Sequence, residues 1–135
     1  VNSTSFTPDA DSPASLQVLT NLLKKHSPNV STIPLNPTTP PPILPHHPAP
    51  PHIRAVRAAF TPAILDVSLV DEVVEVSDED AIETTRELGR KYGLLVGISS
   101  GANVWAARQM ARKIAGNVAT VLPDRAERYF STALM

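Results

Sequence analysis

The chain has 135 residues, which is enough for one small domain or part of one and too few for two. Twelve Lys and Arg residues balance thirteen Asp and Glu residues, so the net charge of −1 excludes the broad basic surface that binds nucleic acid or an anionic membrane. The chain has no Cys and no apolar stretch near the roughly 18 residues of a membrane span, so we expect a cytoplasmic protein without thiolate chemistry.

The first predicted helix begins near residue 12. Ser12 and Pro13 are residue types favoured at an N-cap and a first helical position, and Lys24 and Lys25 are typical of a last turn. Residues 1–28 therefore form a helix-containing N-terminal segment, and residues 29–35 follow as a candidate strand that Pro34 restricts to an edge or a strand end. The helix is expected to bury an apolar stripe made of Leu16, Leu19, Leu22 and Leu23.

A proline-rich run follows, with nine Pro residues among positions 34–51. Pro removes backbone donors and fixes φ, so we expect polyproline II or irregular chain and take residues 29–62 as an irregular linker. Recognition of the run by an aromatic groove is the alternative use, but we favour a passive linker and assign it no partner. Three His residues lie in or beside the run without a carboxylate at ligand spacing, so no metal site is expected: His46, His47 and His52.

Residues 63–135 change character, because short apolar runs alternate there with helical periods. The β-branched run 71–76 predicts a buried strand. Ser77 is the expected N-cap of a helix that ends near Tyr92, where Gly93 can adopt the left-handed conformation. Its buried face is expected to contain Ala81, Ile82, Thr85 and Leu88.

Two more strands and two more helices complete the pattern. Residues 94–98 predict a strand and residues 99–102 open a helix that Gly116 and Asn117 close. Residues 118–122 predict a third strand, stopped by Pro123, and residues 127–134 a final helix. The inner side of the middle helix is expected to contain Val104, Ala107, Ala111 and Ile114.

This alternation predicts an α/β fold, with a partial three-layer parallel sheet after a proline-rich irregular segment. Ligands of such sheets collect at the carboxyl ends of strands, where helix N-termini present N–H groups to anions. Residues 97–102 form one such turn, for which an anion site and a simple capped helix start both remain open. Residues 122–128 form a second turn, for which we favour a solvated loop. No catalytic constellation of nucleophile, base and orienting group is found.

The sequences of these turns, GISSGA at 97–102 and LPDRAERYFSTAL at 122–134, resemble segments of the cysteine synthase (O-acetylserine sulfhydrylase) family. Residues 64–107 resemble that family's stretch leading into its GISSGA loop, and residues 26–30 and 51–66 extend the resemblance backward. The resemblance implies the large-domain fold of fold-type II pyridoxal-phosphate enzymes. It also implies a transferase that binds this cofactor on a lysine and makes cysteine from O-acetylserine and sulfide.

The resemblance implies further roles for particular residues and partners. It places Ser99 at the family's serine that contacts the cofactor's pyridine nitrogen, with Gly97, Ser100 and Gly101 beside it. The family's phosphate-binding loop, GTGGT, corresponds to residues 11–15, where Ser12 and Ser15 keep hydroxyls. Implied partners are a second copy in a homodimer or the C-terminal tail of serine acetyltransferase.

The chain departs from the family's pattern at several positions. The cofactor-binding lysine of the family precedes the sequence seen here, and the surroundings of this chain's lysines do not match it: Lys24, Lys25, Lys91 and Lys113. Residues 55–60 replace a glycine-rich family segment, and Asp124 and Ala126 stand where the family usually has Ser and Gly. Asp11 places a negative charge in the phosphate loop.

Three hypotheses follow from the resemblance and the departures. The first is a C-terminal fragment or degenerate copy of a cysteine synthase, inactive alone because it lacks the lysine. The second is a non-catalytic interaction module that binds a serine acetyltransferase tail or a homologous subunit. The third is an incomplete chain whose upstream part exists, which the start at Val1 rather than Met favours.

Overall fold

A computed structural model describes residues 3–7, 13–37, 66, 68 and 71–129. Residues 38–51 of the proline-rich run and the predicted helical residues after Tyr129 lie outside the described residues. The elements in chain order are β1 (Ser3–Thr7), α1 (Pro13–His26), β2 (Ser31–Thr32), β3 (Leu35–Pro37), β4 (Val74–Val76), α2 (Asp78–Tyr92), α3 (Ile98–Lys113), β5 (Gly116–Thr120) and a 3-10 turn (Ala126–Tyr129).

The strands form two small parallel sheets, where the sequence predicted one. One sheet has the order β2-β1-β5, with Ser5 of β1 opposite Ser31 on one side and Val118 on the other. The other sheet contains β3 and β4, with Leu35 opposite Val74. The α/β class and the parallel pairing are confirmed. Strand β1 was not predicted, because its sequence STSFT has no apolar alternation that would mark it.

The N-terminal helix begins at Pro13 as predicted, but its burial differs from the expected leucine stripe. Leu22 is 52% exposed, whereas the most buried described side chain of the helix is Thr20, at 2% exposure. The candidate strand after it is divided between the two sheets. Residues 31–32 form the edge strand β2 and residues 35–37 form β3, so the proline-rich run contributes its first residues to a sheet instead of starting as irregular chain.

Helix α2 agrees closely with the sequence prediction. The hydroxyl of Ser77 accepts a hydrogen bond from the Asp80 N–H at 3.1 Å, and Gly93 ends the helix with φ +68°. Its N–H donates to the Gly89 carbonyl at 3.1 Å, which completes a left-handed cap. The buried residues of α2 are Ala81, Thr84, Thr85 and Leu88, so Thr84 replaces the predicted Ile82, which is half-buried.

The strand predicted at residues 94–98 is not formed. Leu95 is 73% exposed, and Val96 makes a single antiparallel bridge to Arg125. The segment joins the end of α2 to the start of α3, and the bonds of this bridge are Gly97 N–H to the Asp124 carbonyl and Ala126 N–H to the Leu95 carbonyl. The N–H groups of Leu94 and Val96 instead donate locally, to the Leu88 and Leu94 carbonyls. A ladder would need those donors for a neighbouring strand.

Helix α3 begins at Ile98, one residue before the predicted start, but its predicted end was wrong. It ends at Lys113, and Gly116 and Asn117 belong to β5, which lies two residues before the predicted strand. Of the predicted inner residues of α3, Ile114 packs at the margin of the core. Helix α3 packs against α2 on one side and against strands of both sheets on another, so it buries small and polar residues as well as apolar ones. The buried set is Ser100, Gly101, Ala102, Asn103, Ala106 and Met110, whereas the predicted inner residue Ala111 is exposed.

The core is one apolar cluster between α3, the first half of α2 and the two-stranded sheet, and Ile98, Trp105, Ile114 and Val118 pack at its margin. Within the described part of the chain, no helix combines the length and the apolar character that crossing a membrane requires. The buried members of the cluster are Ile33, Leu35, Val74, Val76, Ala81, Ala102, Ala106 and Met110.

Candidate functional site

The strands β1 and β5 end side by side at the carboxyl edge of the three-stranded sheet. Strands β1 and β5 are parallel neighbours, and Thr7 at the end of β1 lies opposite Thr120 at the end of β5. The chain continues from β1 towards the start of α1 and from β5 into residues 121–124, so both segments leave the sheet at the same edge. This is the edge where ligands of parallel α/β sheets bind.

The side chain of Asp124 lies at the N-terminus of α3. Its carboxylate accepts the Ser99 N–H at 3.1 Å and the Ser100 N–H at 2.9 Å, and it also accepts the Ser100 hydroxyl. Asp124 is only 7% exposed, so the solvated loop favoured from sequence is wrong at this residue. The N-terminus of α3 does accept an anion, and that anion is a carboxylate of the same chain.

The backbone of Asp124 reinforces the contact. Its carbonyl accepts the Gly97 N–H at 3.1 Å and lies 3.2 Å from the Ser100 hydroxyl oxygen, while its own N–H donates to that hydroxyl at 3.3 Å. Ser100 is fully buried within these contacts. Sequence spacing gave no signal for this arrangement, because the residues are 24 positions apart in the chain.

Ser99 differs from Ser100 in the hydrogen bonding of its hydroxyl. Its N–H is held by Asp124, and its side chain is half-buried. Among the described residues, none makes a hydrogen bond to the Ser99 hydroxyl. Of the two serines in the turn, Ser99 is therefore the one whose side chain can bind a ligand.

Gly101 allows α2 and α3 to approach closely beneath this turn. A Cβ at Gly101 would lie 1.9 Å from Thr85 Oγ1 and 2.3 Å from the Ala81 carbonyl oxygen. The Thr85 hydroxyl donates to the Ala81 carbonyl at 2.8 Å and lies 3.2 Å from the Gly97 carbonyl. Thr85 thus links α2 to the turn that carries Ser99, a role that the sequence did not indicate beyond placing Thr85 on the buried face.

The remaining predicted site residues lie near the start of α1. Ser12 lies outside the described residues, and Ser15 lies in the first turn of α1, although its side chain is not described. The first helical residue, Pro13, has no backbone N–H, so it contributes no donor to a ligand at this end of the helix.

All four lysines lie in last turns of helices, whereas the candidate site lies at the N-terminal end of α3. Lys24 pairs with Asp71 at 2.9 Å, which joins the end of α1 to the chain before β4. The other two ion pairs are Lys91 with Glu87 at 3.0 Å and Lys113 with Glu72 at 2.8 Å, and Lys25 is exposed.

Comparisons with known proteins identify relatives over most of the chain. The family of pyridoxal-phosphate dependent enzymes matches residues 19–124. Cysteine synthase B of Campylobacter jejuni is 54% identical over 83 residues, which are 61% of this chain and 27% of that protein. A cysteine synthase of Staphylococcus aureus is 36% identical over 115 residues, which are 84% of this chain and 37% of that protein.

Solved structures agree with these relatives. The crystal structure of an O-acetylserine dependent cystathionine beta-synthase from Helicobacter pylori matches with a TM-score of 0.79 and 34% identity, over 98% of this chain and 44% of that one. An O-ureido-L-serine synthase matches with a TM-score of 0.77 and 29% identity, over 99% of this chain and 43% of that one. The chain therefore spans less than half the length of these relatives.

Pyridoxal phosphate is the cofactor of this family. An enzyme of this kind supplies an amine for the aldehyde, donors for the phosphate and a partner for the ring nitrogen. The Ser99 hydroxyl is a donor of the kind that a ring nitrogen can accept, whereas Asp124 already occupies the donors at the start of α3 and no described lysine lies at this edge. With its family match, its relatives and its fold in agreement, the chain belongs to the pyridoxal-phosphate dependent enzymes as a cysteine synthase-like member of fold type II.

Proposed function

We propose that this chain carries the ring-side wall of the cofactor site of a cysteine synthase-like enzyme, with Ser99 as the contact to the pyridine nitrogen. The observation that carries the proposal is the Ser99 hydroxyl, which is half-buried and without a partner among the described residues, at a turn that Asp124 fixes. When bound, pyridoxal phosphate supplies the electron sink for exchanging the acetate of O-acetylserine for sulfide.

The neighbouring residues have supporting roles in this proposal. Gly97 presents its carbonyl to Thr85 and its N–H to Asp124, and Ser100 and Gly101 hold the start of α3 in place. Because Asp124 uses the N-terminal donors of α3, the cofactor's phosphate is assigned to the start of α1, where Ser12 and Ser15 lie in sequence.

The chain alone is proposed to be inactive, either as part of a longer enzyme or as a degenerate copy. The support is the position of the lysines, since three of the four pair with carboxylates and all four lie in last turns of helices.

The first test uses the purified full chain with pyridoxal phosphate, O-acetylserine and sulfide. We expect no cysteine above a control without protein, and no stoichiometric pyridoxyl adduct by mass spectrometry after borohydride treatment. Cysteine formation together with an adduct on a single lysine would show that the chain has its own anchor and would refute the proposed inactivity.

The second test supplies the missing part in trans. The full chain is co-expressed with the portion of the Campylobacter jejuni relative that it does not match, and the copurified complex is assayed for bound cofactor and cysteine formation. We expect Ser99→Ala to reduce both. The matched control is Ser27→Ala, since Ser27 is an exposed serine in the connection after α1. Equal effects of the two substitutions would refute the role of Ser99.

A second candidate function is supported by apolar side chains beside the turn. Leu94 and Leu95 precede Gly97 and are 43% and 73% exposed, and Val121 and Leu122 precede Asp124 and are 39% and 43% exposed. Exposed apolar residues favour binding of another polypeptide, such as a serine acetyltransferase tail or a homologous subunit. Calorimetric titration with the tail peptide tests this, and Leu95→Ser should weaken binding, whereas Val18→Ser on the outer face of α1 should not.

A further inference from the structure

The carboxylate of Asp124 makes a two-oxygen contact with the first turn of α3. One oxygen, Oδ2, accepts from the Ser99 N–H, and the other, Oδ1, accepts from the Ser100 N–H and the Ser100 hydroxyl. Each oxygen thus accepts from one of two adjacent amides, which a side chain with a single oxygen could not do in this way. The charge of the carboxylate also faces the positive end of the α3 dipole.

These contacts fix the chain on both sides of Ser99. Before it, the Gly97 N–H donates to the Asp124 carbonyl at 3.1 Å, and after it, Ser100 is held through its N–H and its hydroxyl. The N–H of Ser99 itself is held by the same carboxylate. Asp124 binds the N–H groups of both serines and the hydroxyl of Ser100, but it does not bind the hydroxyl of Ser99.

From this geometry we propose that Asp124 is a positioning residue that acts through Ser99. It holds the Ser99 backbone so that the hydroxyl faces the ring nitrogen of the cofactor, and it keeps external anions away from the start of α3. The proposal rests on the proposed function for its consequence in catalysis. Its structural part, the fixing of Ser99 by Asp124, can be measured without cofactor.

The first measurement is hydrogen exchange at single amides of the full chain by NMR. First-turn amides of a helix have no partner within the helix, so they normally exchange quickly. We expect the Ser99 and Ser100 amides to be protected, in contrast to the first-turn amide of Glu79 in α2. Asp124→Asn leaves one carbonyl acceptor in place of two carboxylate oxygens and should speed exchange at Ser99 and Ser100 about tenfold or more.

The internal reference is the Ala106 amide, since Ala106 is fully buried in α3. Its exchange should be unchanged in Asp124→Asn if the effect is local. The matched control is Asp78→Asn, because Asp78 is an exposed acid in the first turn of α2. It should leave Ser99 unaffected. Fast exchange at Ser99 in the unsubstituted chain, or no change in Asp124→Asn, would overturn the proposal even if the variant were destabilised.

The second measurement is a double-mutant cycle in the co-expressed enzyme. Asp124→Asn should lower kcat about tenfold with KM for O-acetylserine unchanged, and it should have no further effect when Ser99→Ala is present. If the effects of Asp124→Asn and Ser99→Ala on kcat multiply in the double variant, then Asp124 only caps the helix and does not position Ser99, which would refute the proposal. If Ser99→Ala itself has no effect, the proposed function fails, while the exchange data still decide whether Asp124 fixes Ser99.

Discussion

Replacing Gly101 by Ala is expected to destabilise the fold strongly, although Ala is the better helix former. The added Cβ would lie 1.9 Å from Thr85 Oγ1, 2.3 Å from the Ala81 carbonyl oxygen and 3.0 Å from the Thr85 backbone nitrogen. Ordinary contact begins at 3.4 Å, so the clash with the Ala81 carbonyl exceeds one ångström. That atom belongs to the α2 backbone and can move only if the helix moves.

The expected loss can be estimated from these contacts. Rotation of Thr85 would give up its hydrogen bond to the Ala81 carbonyl, which contributes about 1 kcal/mol. Displacement of α2 adds an overpacking cost of about 1–3 kcal/mol, and the helix propensity of Ala returns about 1 kcal/mol. The free energy of unfolding should therefore fall by about 1–3 kcal/mol, which lowers the urea midpoint by about 0.5–1.5 M at a typical m-value.

The assay is urea unfolding followed by circular dichroism, with Gly89→Ala as the matched control. Gly89 lies in α2, where a Cβ would meet only the Leu94 carbonyl at 4.0 Å. That substitution should raise the free energy of unfolding by about 0.5–1 kcal/mol. Adding Thr85→Ala to Gly101→Ala should recover only part of the loss, because the clash with Ala81 remains. A Gly101→Ala midpoint equal to that of the unsubstituted chain would refute the close approach of α2 and α3.

Three other substitutions test separate features. Ser77→Ala removes the N-cap of α2 and should lower the free energy of unfolding by about 1 kcal/mol, measured by the same urea titration. Thr32→Val replaces a fully buried hydroxyl that has no partner among the described residues, so it should raise that free energy by about 1 kcal/mol, and a lower value would mean that the hydroxyl is bonded. A hydrogen bond from Arg108, with a further one from Lys91, lowers the pKa of Glu87 below its ordinary 4.5, so Glu87 stabilises the fold above that pH. The stability advantage over Glu87→Gln should therefore be present at neutral pH and disappear as the pH falls through the folded-state pKa; an advantage that does not change with pH would contradict the ion pair.

The sequence by itself determined the features that depend on neighbouring residues. Ser77 and Gly93 mark the ends of α2 because each cap is made with residues at most five positions away in the chain. Pro13 likewise marks the start of α1. The resemblance to cysteine synthases is also carried by short segments, so the family could be recognised without a structure.

Only the tertiary structure decided which strands pair and which side of α3 is buried. Residues 94–98 have the composition of a strand, but a strand forms only when a neighbour takes its backbone groups in succession. Here the Leu94 and Val96 N–H groups bond locally, and the bonds to Asp124 and Ala126 make a single bridge. Helix α3 is covered from more than one side, so apolarity does not mark its buried face. The contact of Asp124 with Ser99 and Ser100 joins residues 25 and 24 positions apart, a distance over which sequence spacing carries no geometric information.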